Sequence, residues 1–198
     1  MADFDAIASV GVSIQRLLSD ALGQAPEPVP GQVTRAALVR TDDFTRGVGT
    51  RITANCCALF LYKVEPNRTM RAAWSGVGFH DGIGRLPLDL HYLLTAFSTA
   101  PEFEHRILGR VLQTLETTPV LTGPLLGGGG GWAPHEAVHL QLDELPLDQQ
   151  MRIFDQIPGD FRLSLAYLAR VVRLDGRTAF PDPTVSTVVT GLTPSAVP

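Results

Sequence analysis

The sequence predicts a single α/β domain of the α+β kind, in which helices pack on one mixed β-sheet. Apolar residues recur with a period of two in some segments and at helical spacing in others, and these segments alternate with short connections. The chain has 198 residues, 44% hydrophobic and 18% charged, so it can bury a sizeable core and lacks the composition of a disordered protein.

The composition also narrows the classes of partner. A net charge of −4 gives no electrostatic reason to expect nucleic acid. The N-terminus lacks a basic start followed by a continuous apolar run, so no signal peptide is visible, and no segment reaches the ~20 apolar residues that span a bilayer. The adjacent Cys56 and Cys57 indicate a reduced, cytosolic chain, and on a strand they would point to opposite faces of the core.

The first half of the chain predicts one helix and two strands. Residues 3 to 22 have apolar residues at helical spacing, with Asp3 as a possible cap and Gly23 as a stop. Prolines predict a linker over residues 24–31, residues 32–40 form a short strand, and residues 42–51 are predicted as a loop. Residues 55–64 are apolar on both faces, as in a central strand, and turn residues follow at 65–69.

The second half predicts strands separated by helices. In residues 85–98 the side chains of Leu88, Leu90 and Tyr92 alternate with those of Asp89 and His91, which indicates a strand. Pro101 begins a helix, Ala137–Leu142 alternates, residues 146–157 form a short helix, and residues 161–174 form the longest strand. The tail from residue 178 is rich in Pro, Thr, Ser and Val, so we place the domain at residues 1–176 and an extended or flexible tail at 177–198.

His135, Glu136 and His139 have the H-E-x-x-H spacing with which zinc peptidases hold their metal. On a helix the two imidazoles would lie within about 6 Å of each other, whereas on a strand four residues span roughly 13 Å. Five glycines and Pro134 leave no helical turn upstream, the following residues alternate, and the extended zincin pattern is absent. We interpret the segment as a strand and keep a zinc-dependent hydrolase as the alternative.

Two other polar groups invite a catalytic interpretation. Asp89 and His91 share a strand face, but neighbours two apart are about 6.5 Å apart, too far for an orienting hydrogen bond. We interpret them as a polar pair on the less buried face. Ser164 lies in an alternating strand without elbow glycines, and neither cysteine has a nearby cation in sequence to activate a thiolate. No catalytic, cofactor-binding or metal-binding residue is predicted.

Gly127–Gly131 form a five-glycine loop. It lacks the Gly-Lys-Ser/Thr ending of a phosphate loop and does not lead from a strand into a long helix. We predict a mobile surface loop, with a loop that orders against a neighbouring subunit as the alternative.

Four segments in order resemble a known family. They are LFLYKVEPN (Leu59–Asn67), LPLDLHYLLTAF (Leu86–Phe97), HRILGRVLQTLETTPVL (His105–Leu121) and LDQQMRIFDQIPGDFRLSLAYLARVVRLDG (Leu147–Gly176). With the N-terminal DFDAIASVGVSIQRLL, they resemble the tail-terminator or cap proteins of extracellular contractile injection systems. These are phage-tail-like particles of the antifeeding-prophage and virulence-cassette type. The resemblance covers roughly residues 1 to 175.

The resemblance implies a tail-terminator-like fold and a structural, non-enzymatic protein. Such a protein forms a ring, expected to be a homohexamer, that ends the inner tube and anchors the last sheath layer. Its partners would be the sheath protein, the inner tube protein and other copies of itself, with no nucleic acid, membrane or cofactor. Assembly is expected in the cytoplasm, as part of a particle that is retained or released. A tube or baseplate adaptor of the same particle is the alternative.

Overall fold

The structure, a computed structural model, describes residues 2–46, 51–74, 83–127, 129–157 and 160–179. The predicted tail therefore lies outside the described residues from position 180 onward. In chain order the elements are α1 (Ala6–Leu22), β1 (Arg35–Val39), α2 (Thr41–Arg46), β2 (Cys56–Pro66), α3 (Arg68–Trp74), β3 (Ile83–Phe97), α4 (Pro101–Thr117), β4 (Val120–Thr122), a 3₁₀ turn (Gly123–Leu125), β5 (Ala137–Leu142), α5 (Leu147–Gln156) and β6 (Ser164–Ala179).

All six strands belong to one mixed sheet in the order β1-β2-β3-β6-β5-β4. β1 runs parallel to β2, and every other neighbouring pair is antiparallel. The predicted fold class, one mixed sheet with helices packed on it, is confirmed. β3 and β6 form the long central ladder, so each is flanked by strands on both sides.

The main core lies between one face of the sheet and the helices α1 and α4. Leu88, Leu90, Tyr92 and Leu94 of β3 point into it, as the alternation predicts. Burying one such leucine contributes about 1.5–3 kcal/mol, so this face supplies most of the hydrophobic stabilisation. The helices meet it with apolar stripes that include Val10, Ile14, Leu18, Leu22, Ile107, Val111 and Leu115.

A smaller apolar cluster covers part of the opposite face. It contains Ile52, Cys56, Ala58 and Phe97, with Phe44 of α2 packed against them. Cys57 belongs to the main core, so the prediction that the adjacent cysteines point to opposite faces is confirmed.

Two short helices and one short strand depart from the sequence prediction. The expected loop over residues 42–51 contains α2, in which the buried Asp43 carboxylate accepts the Arg40 N–H at 3.0 Å. The turn expected after Val64 instead continues as β2 to Pro66 and leads into α3, where Asn67 Oδ1 accepts the Met70 N–H at 2.9 Å. β4 was not predicted because three residues carry no periodicity.

Candidate functional site

The zinc-like motif does not form a helical turn. Ala137–Leu142 is strand β5, and His139 lies between Val120 of β4 and Arg170 of β6 in the sheet register. His135 precedes the strand in a turn, and both imidazoles are exposed. The strand predicted for this segment is confirmed, and no group of three metal-ligating side chains occurs in the described part of the chain. The zinc-hydrolase alternative therefore finds no support.

Glu136, which would be the general base of a zinc peptidase, has a structural role here. One carboxylate oxygen accepts the Ala133 N–H at 2.6 Å, and the other lies 2.8 Å from Arg173 Nη2. Arg173 Nε in turn lies 2.8 Å from Asp175 Oδ1, an ion-pair contact that is off the hydrogen-bond direction. Glu136 therefore ties the turn before β5 to the last part of β6.

The glycine loop packs against α1. Ser13 Oγ accepts the Gly127 N–H at 2.7 Å, Ser9 Oγ donates to the Gly127 carbonyl at 3.0 Å, and Trp132 Nε1 donates to Ser9 Oγ at 2.9 Å. Gly130 is buried, and its φ of +79° favours glycine. The prediction of a mobile surface loop is wrong for the buried Gly127 and Gly130, because serines on α1 bind the backbone of Gly127 and the Gly130 carbonyl accepts the Asp3 N–H at 3.0 Å.

His91 and Asp89 are buried, at 8% and 7% exposure, so the expectation of a less buried face is wrong. His91 Nδ1 lies 2.8 Å from Asp143 Oδ2, and its Nε2 lies 3.2 Å from Glu65 Oε1. The ring is thus bracketed by two carboxylates from the β5–α5 connection and from β2. Burial, then the Asp143 carboxylate, raises the pKa of Tyr62 to about 12. Lys63, 2.7 Å from Glu65, lowers the pKa of that carboxyl.

Asp89 has its own partners and does not orient His91. Both of its oxygens accept hydrogen bonds from Asn67 Nδ2 at 3.0 Å, and Arg170 Nη2 lies 3.3 Å from Oδ2. Asn67 also begins α3, which packs along β3. Asp89 is more buried than the sequence predicts because Asn67 and Arg170 cover it on the face of β3 that points away from the main core. The pair fixes strands and a helix to one another.

The remaining candidates are parts of the core. Ser164 is buried, and its hydroxyl lies 2.7 Å from Thr95 Oγ1 and 3.0 Å from the Arg162 carbonyl, so no base faces it. Burial raises the pKa of both Cys56 and Cys57, which disfavours the reactive thiolate. None of the helices in the described ranges has the length and apolarity to cross a membrane.

The sequence matches a protein family over most of its length. A model of the family described as Pvc16 N-terminal domain matches residues 9–187. The chain belongs to this family. The Pvc16 N-terminal domain match runs from within α1 past the end of β6, so all six strands lie inside it.

Two solved structures resemble this Pvc16 N-terminal domain. A cryo-EM structure of the PVC sheath/tube terminator of an extracellular contractile injection system, in the extended state, matches with a TM-score of 0.54 and 20% identity, over 96% of this chain. The chain spans 65% of the length of that terminator. The tube-terminating cap of the anti-feeding prophage matches with a TM-score of 0.45 and 20% identity, over 73% of this chain and 55% of the cap. No curated protein sequence matches. The family resemblance inferred from the four segments is confirmed by the match to the Pvc16 N-terminal domain.

Sequence reasoning selected Asp89 and His91 but not the groups that bind them. Glu65, Asn67, Asp143 and Arg170 come from β2, the start of α3, the β5–α5 connection and β6. One signal was available in the sequence. Glu65 and Arg170 are charged residues next to apolar stretches of their strands, and both are half-buried.

Proposed function

We propose that this chain is the terminator of a contractile injection particle, a structural protein that ends the inner tube and anchors the last sheath layer. The observation that carries the proposal is the family match over residues 9–187, together with a fold shared with a sheath/tube terminator over 96% of the chain. Residues 1–176 form the terminator domain in this proposal, and residues 177–198 form its tail.

The side-chain geometry supports a structural role. In the described ranges, the buried polar residues that could have formed a catalytic site are used to join elements: Asp89 joins β3 to α3 and β6, and His91 joins β3 to β2 and the β5–α5 connection. Such cross-links rigidify a sheet without presenting a nucleophile or a base to a substrate. A rigid plate is what a ring that must hold a fixed diameter requires.

The proposed partners are the inner tube protein, the sheath protein and further copies of this chain, without nucleic acid, membrane or cofactor. The copies form a closed ring, a hexamer, at the end of the particle distal to the baseplate. The ring is assembled in the cytoplasm, and the particle is then retained or released. A closed ring needs head-to-tail contacts, in which each copy uses two different surfaces.

Expression of the particle's proteins with and without this chain tests the proposal. Negative-stain imaging of purified particles should give one length when the chain is present, and tubes of uneven length when it is omitted. A tagged chain, detected by a gold-labelled tag binder, should mark the end opposite the baseplate.

Three results would contradict the proposal. Particles of normal length without the chain would remove the terminator role. Label at the baseplate end would favour the adaptor alternative. Stoichiometric zinc in the purified chain, with hydrolase activity lost in Glu136→Gln, would favour the enzyme alternative.

A further inference from the structure

An exposed apolar surface surrounds α5. It consists of Leu142, Leu147, Met151, Phe161 and Leu163, and we refer to it as the α5 surface. These are five of the eleven large apolar side chains exposed in the described residues, and all lie within residues 142–163. They lie on α5 and on the segments that join it to β5 and β6, and Phe161 packs on Phe154 of α5 with ring centroids 5.3 Å apart.

In the part of the chain that the structure describes, the five side chains of this surface remain exposed. α5 has ten residues, and Phe154 is its only buried one. Leu147 and Met151 lie four positions apart on one side of the helix, yet they are 62% and 50% exposed. A helix this short depends on packing for its stability, and a concentration of exposed apolar side chains is typical of a protein interface. The α5 surface therefore has the character of a contact site for another molecule.

The charges around the α5 surface indicate the chemistry of that molecule. Residues 142–163 contain five acidic side chains and two basic ones, a formal charge of −3. Asp148 and Asp155 are exposed and lie on the strip of α5 that adjoins Leu147 and Met151. A fitting partner presents arginines beside an apolar contact, because guanidinium groups pair with carboxylates in a directed way.

The same chain presents exposed arginines beside an apolar side chain at β1, the strand at one edge of the sheet. We refer to Val33, Arg35, Arg40 and Arg51 as the β1 edge. Val33 is 71% exposed, and the three arginines are exposed as well. Asp42 lies 3.7 Å from Arg40, a long and largely solvated contact, and Asp20 and Glu27 line the cleft beside Arg35.

Beside the β1 edge an open cleft of about 690 Å³ lies between α1 and β1. Val33 and Thr34, which precede β1, and Arg35, its first residue, line the cleft on that side. The Thr34 hydroxyl is buried and has no hydrogen-bond partner among the described residues, which is costly unless another molecule supplies one. The cleft has room for side chains of a second molecule.

At the edge of β1, side chains are available for contact with a partner, whereas several backbone groups are already hydrogen-bonded. Ser19 Oγ accepts the Ala36 N–H at 3.1 Å and donates to its carbonyl at 3.3 Å. Arg51 Nη1 donates to the Leu38 carbonyl at 3.4 Å. Because outward backbone groups of β1 are bound in this way, addition of a partner strand is disfavoured and contacts through Val33 and the arginines are favoured.

We infer that the α5 surface of one copy docks on the β1 edge of the next copy. This inference rests on the proposed function, because a ring needs a contact between two different surfaces of each copy. β2, β3 and β6 separate β1 from β5, so the two surfaces are about 19 Å apart across the sheet, at ~4.8 Å per strand. They can therefore be occupied by two different neighbours at once.

Cysteine cross-linking tests the pairing directly. The variants Val33→Cys and Met151→Cys replace exposed side chains, and the native Cys56 and Cys57 are buried, so they give little background. Each variant is purified alone, then mixed one to one and treated with a short bis-maleimide. Cross-linked dimers should form in the mixture and in neither variant alone. Dimers of Met151→Cys alone would indicate a symmetric contact and overturn the inference.

Charge reversal provides an independent test. Arg35→Glu with Arg40→Glu, or Asp148→Arg with Asp155→Arg, should each weaken self-association about tenfold or more, because like charges then face each other. The chain with all four substitutions should associate again. The matched control is Arg106→Glu on the exposed side of α4, which should leave association unchanged. Failure of the four-fold variant to associate, with its fold intact by circular dichroism, would overturn the pairing.

Particle imaging separates the inference from the proposed function. If the chain caps particles but the mixed cysteine variants do not cross-link, the pairing is wrong and the terminator role stands. If the variants cross-link but particles lack a cap, the contact stands and the terminator role is wrong. If neither is observed, both are wrong.

Discussion

His91 Nδ1 lies 2.8 Å from Asp143 Oδ2, so a central strand is tied to the segment that leads into α5. The other ring nitrogen lies 3.2 Å from Glu65 Oε1. A neutral imidazole carries one N–H, so both contacts are hydrogen bonds only when the ring is protonated. The cluster of His91, Asp143 and Glu65 connects β2, β3 and the approach to α5.

Replacing Asp143 should loosen this connection. Asp143→Ala removes the contact with His91 and the hydrogen bond with Tyr62. We expect it to lower the free energy of unfolding by about 1–3 kcal/mol, because the buried His91 ring loses the partner of its Nδ1 and keeps only Glu65. Urea denaturation followed by circular dichroism measures the change.

The control for Asp143→Ala is Glu144→Ala, one position further along the chain and exposed. This substitution should change the free energy of unfolding by no more than about 0.5 kcal/mol. Equal effects of the two substitutions would mean that the His91–Asp143 contact contributes nothing to stability.

The three tyrosines of the chain should ionise late in the folded protein. Burial is the main cause that raises the pKa of Tyr62 and of Tyr167 to about 12, and it also raises the pKa of Tyr92. The unfolded chain releases these protons near pH 10. The stability that they contribute is therefore fully present below about pH 10 and is lost as the pH rises through 12.

Ultraviolet absorbance of tyrosinate measures this difference. The folded protein should show little tyrosinate at a pH where the urea-unfolded chain is half ionised. Asp143→Asn should lower the pKa of Tyr62, because it removes the negative charge and the carboxylate acceptor beside the phenol. A folded protein that titrates like the unfolded chain would contradict the burial of these rings.

Substitutions of His135, Glu136 and His139 should affect stability differently from those in a zinc site. In a zinc site the two histidines hold the metal, whereas here Glu136 should matter most for the free energy of unfolding. His135→Ala and His139→Ala change exposed side chains, so the free energy of unfolding should change by about 0.5 kcal/mol or less. Glu136→Ala should cost about 1–3 kcal/mol, because Glu136 binds both the Ala133 N–H and Arg173. Thermal unfolding with and without added zinc measures both. Stabilisation by zinc that either histidine substitution abolishes would indicate a metal site instead.

Strands were more predictable than connections, for a physical reason. β3 and β5 alternate, because one face of each contacts the main core, and that periodicity is readable in the sequence. α2 and α3 have six and seven residues, too few for a helical period. Asn67 indicated α3, since asparagine favours the position before a helix. Residues 65–69 are also typical of a turn, and the turn was predicted instead.

The polar clusters were less predictable than the core. Asp89 and His91 could be selected because they interrupt an apolar strand, but their partners lie up to 81 positions away along the chain. Only the strand order β3-β6-β5 brings Arg170 and Asp143 to them. Likewise the order of the glycine loop depends on Ser9 and Ser13, which are more than a hundred positions away.

Adding one methyl group at Gly130 should disturb the contact between the glycine loop and α1. A Cβ there would lie 3.1 Å from Ala6 Cα and 3.2 Å from Ser9 Cβ, and the φ of +79° is unfavourable for alanine. Gly130→Ala should therefore lower the free energy of unfolding by about 1–3 kcal/mol. The matched control is Gly109→Ala inside α4, where a Cβ meets nothing within 4 Å, and this change should stabilise the helix by about 0.5–1 kcal/mol. Urea denaturation of both variants gives the two values. A neutral Gly130→Ala would mean that the loop does not pack on Ala6 and Ser9 in solution.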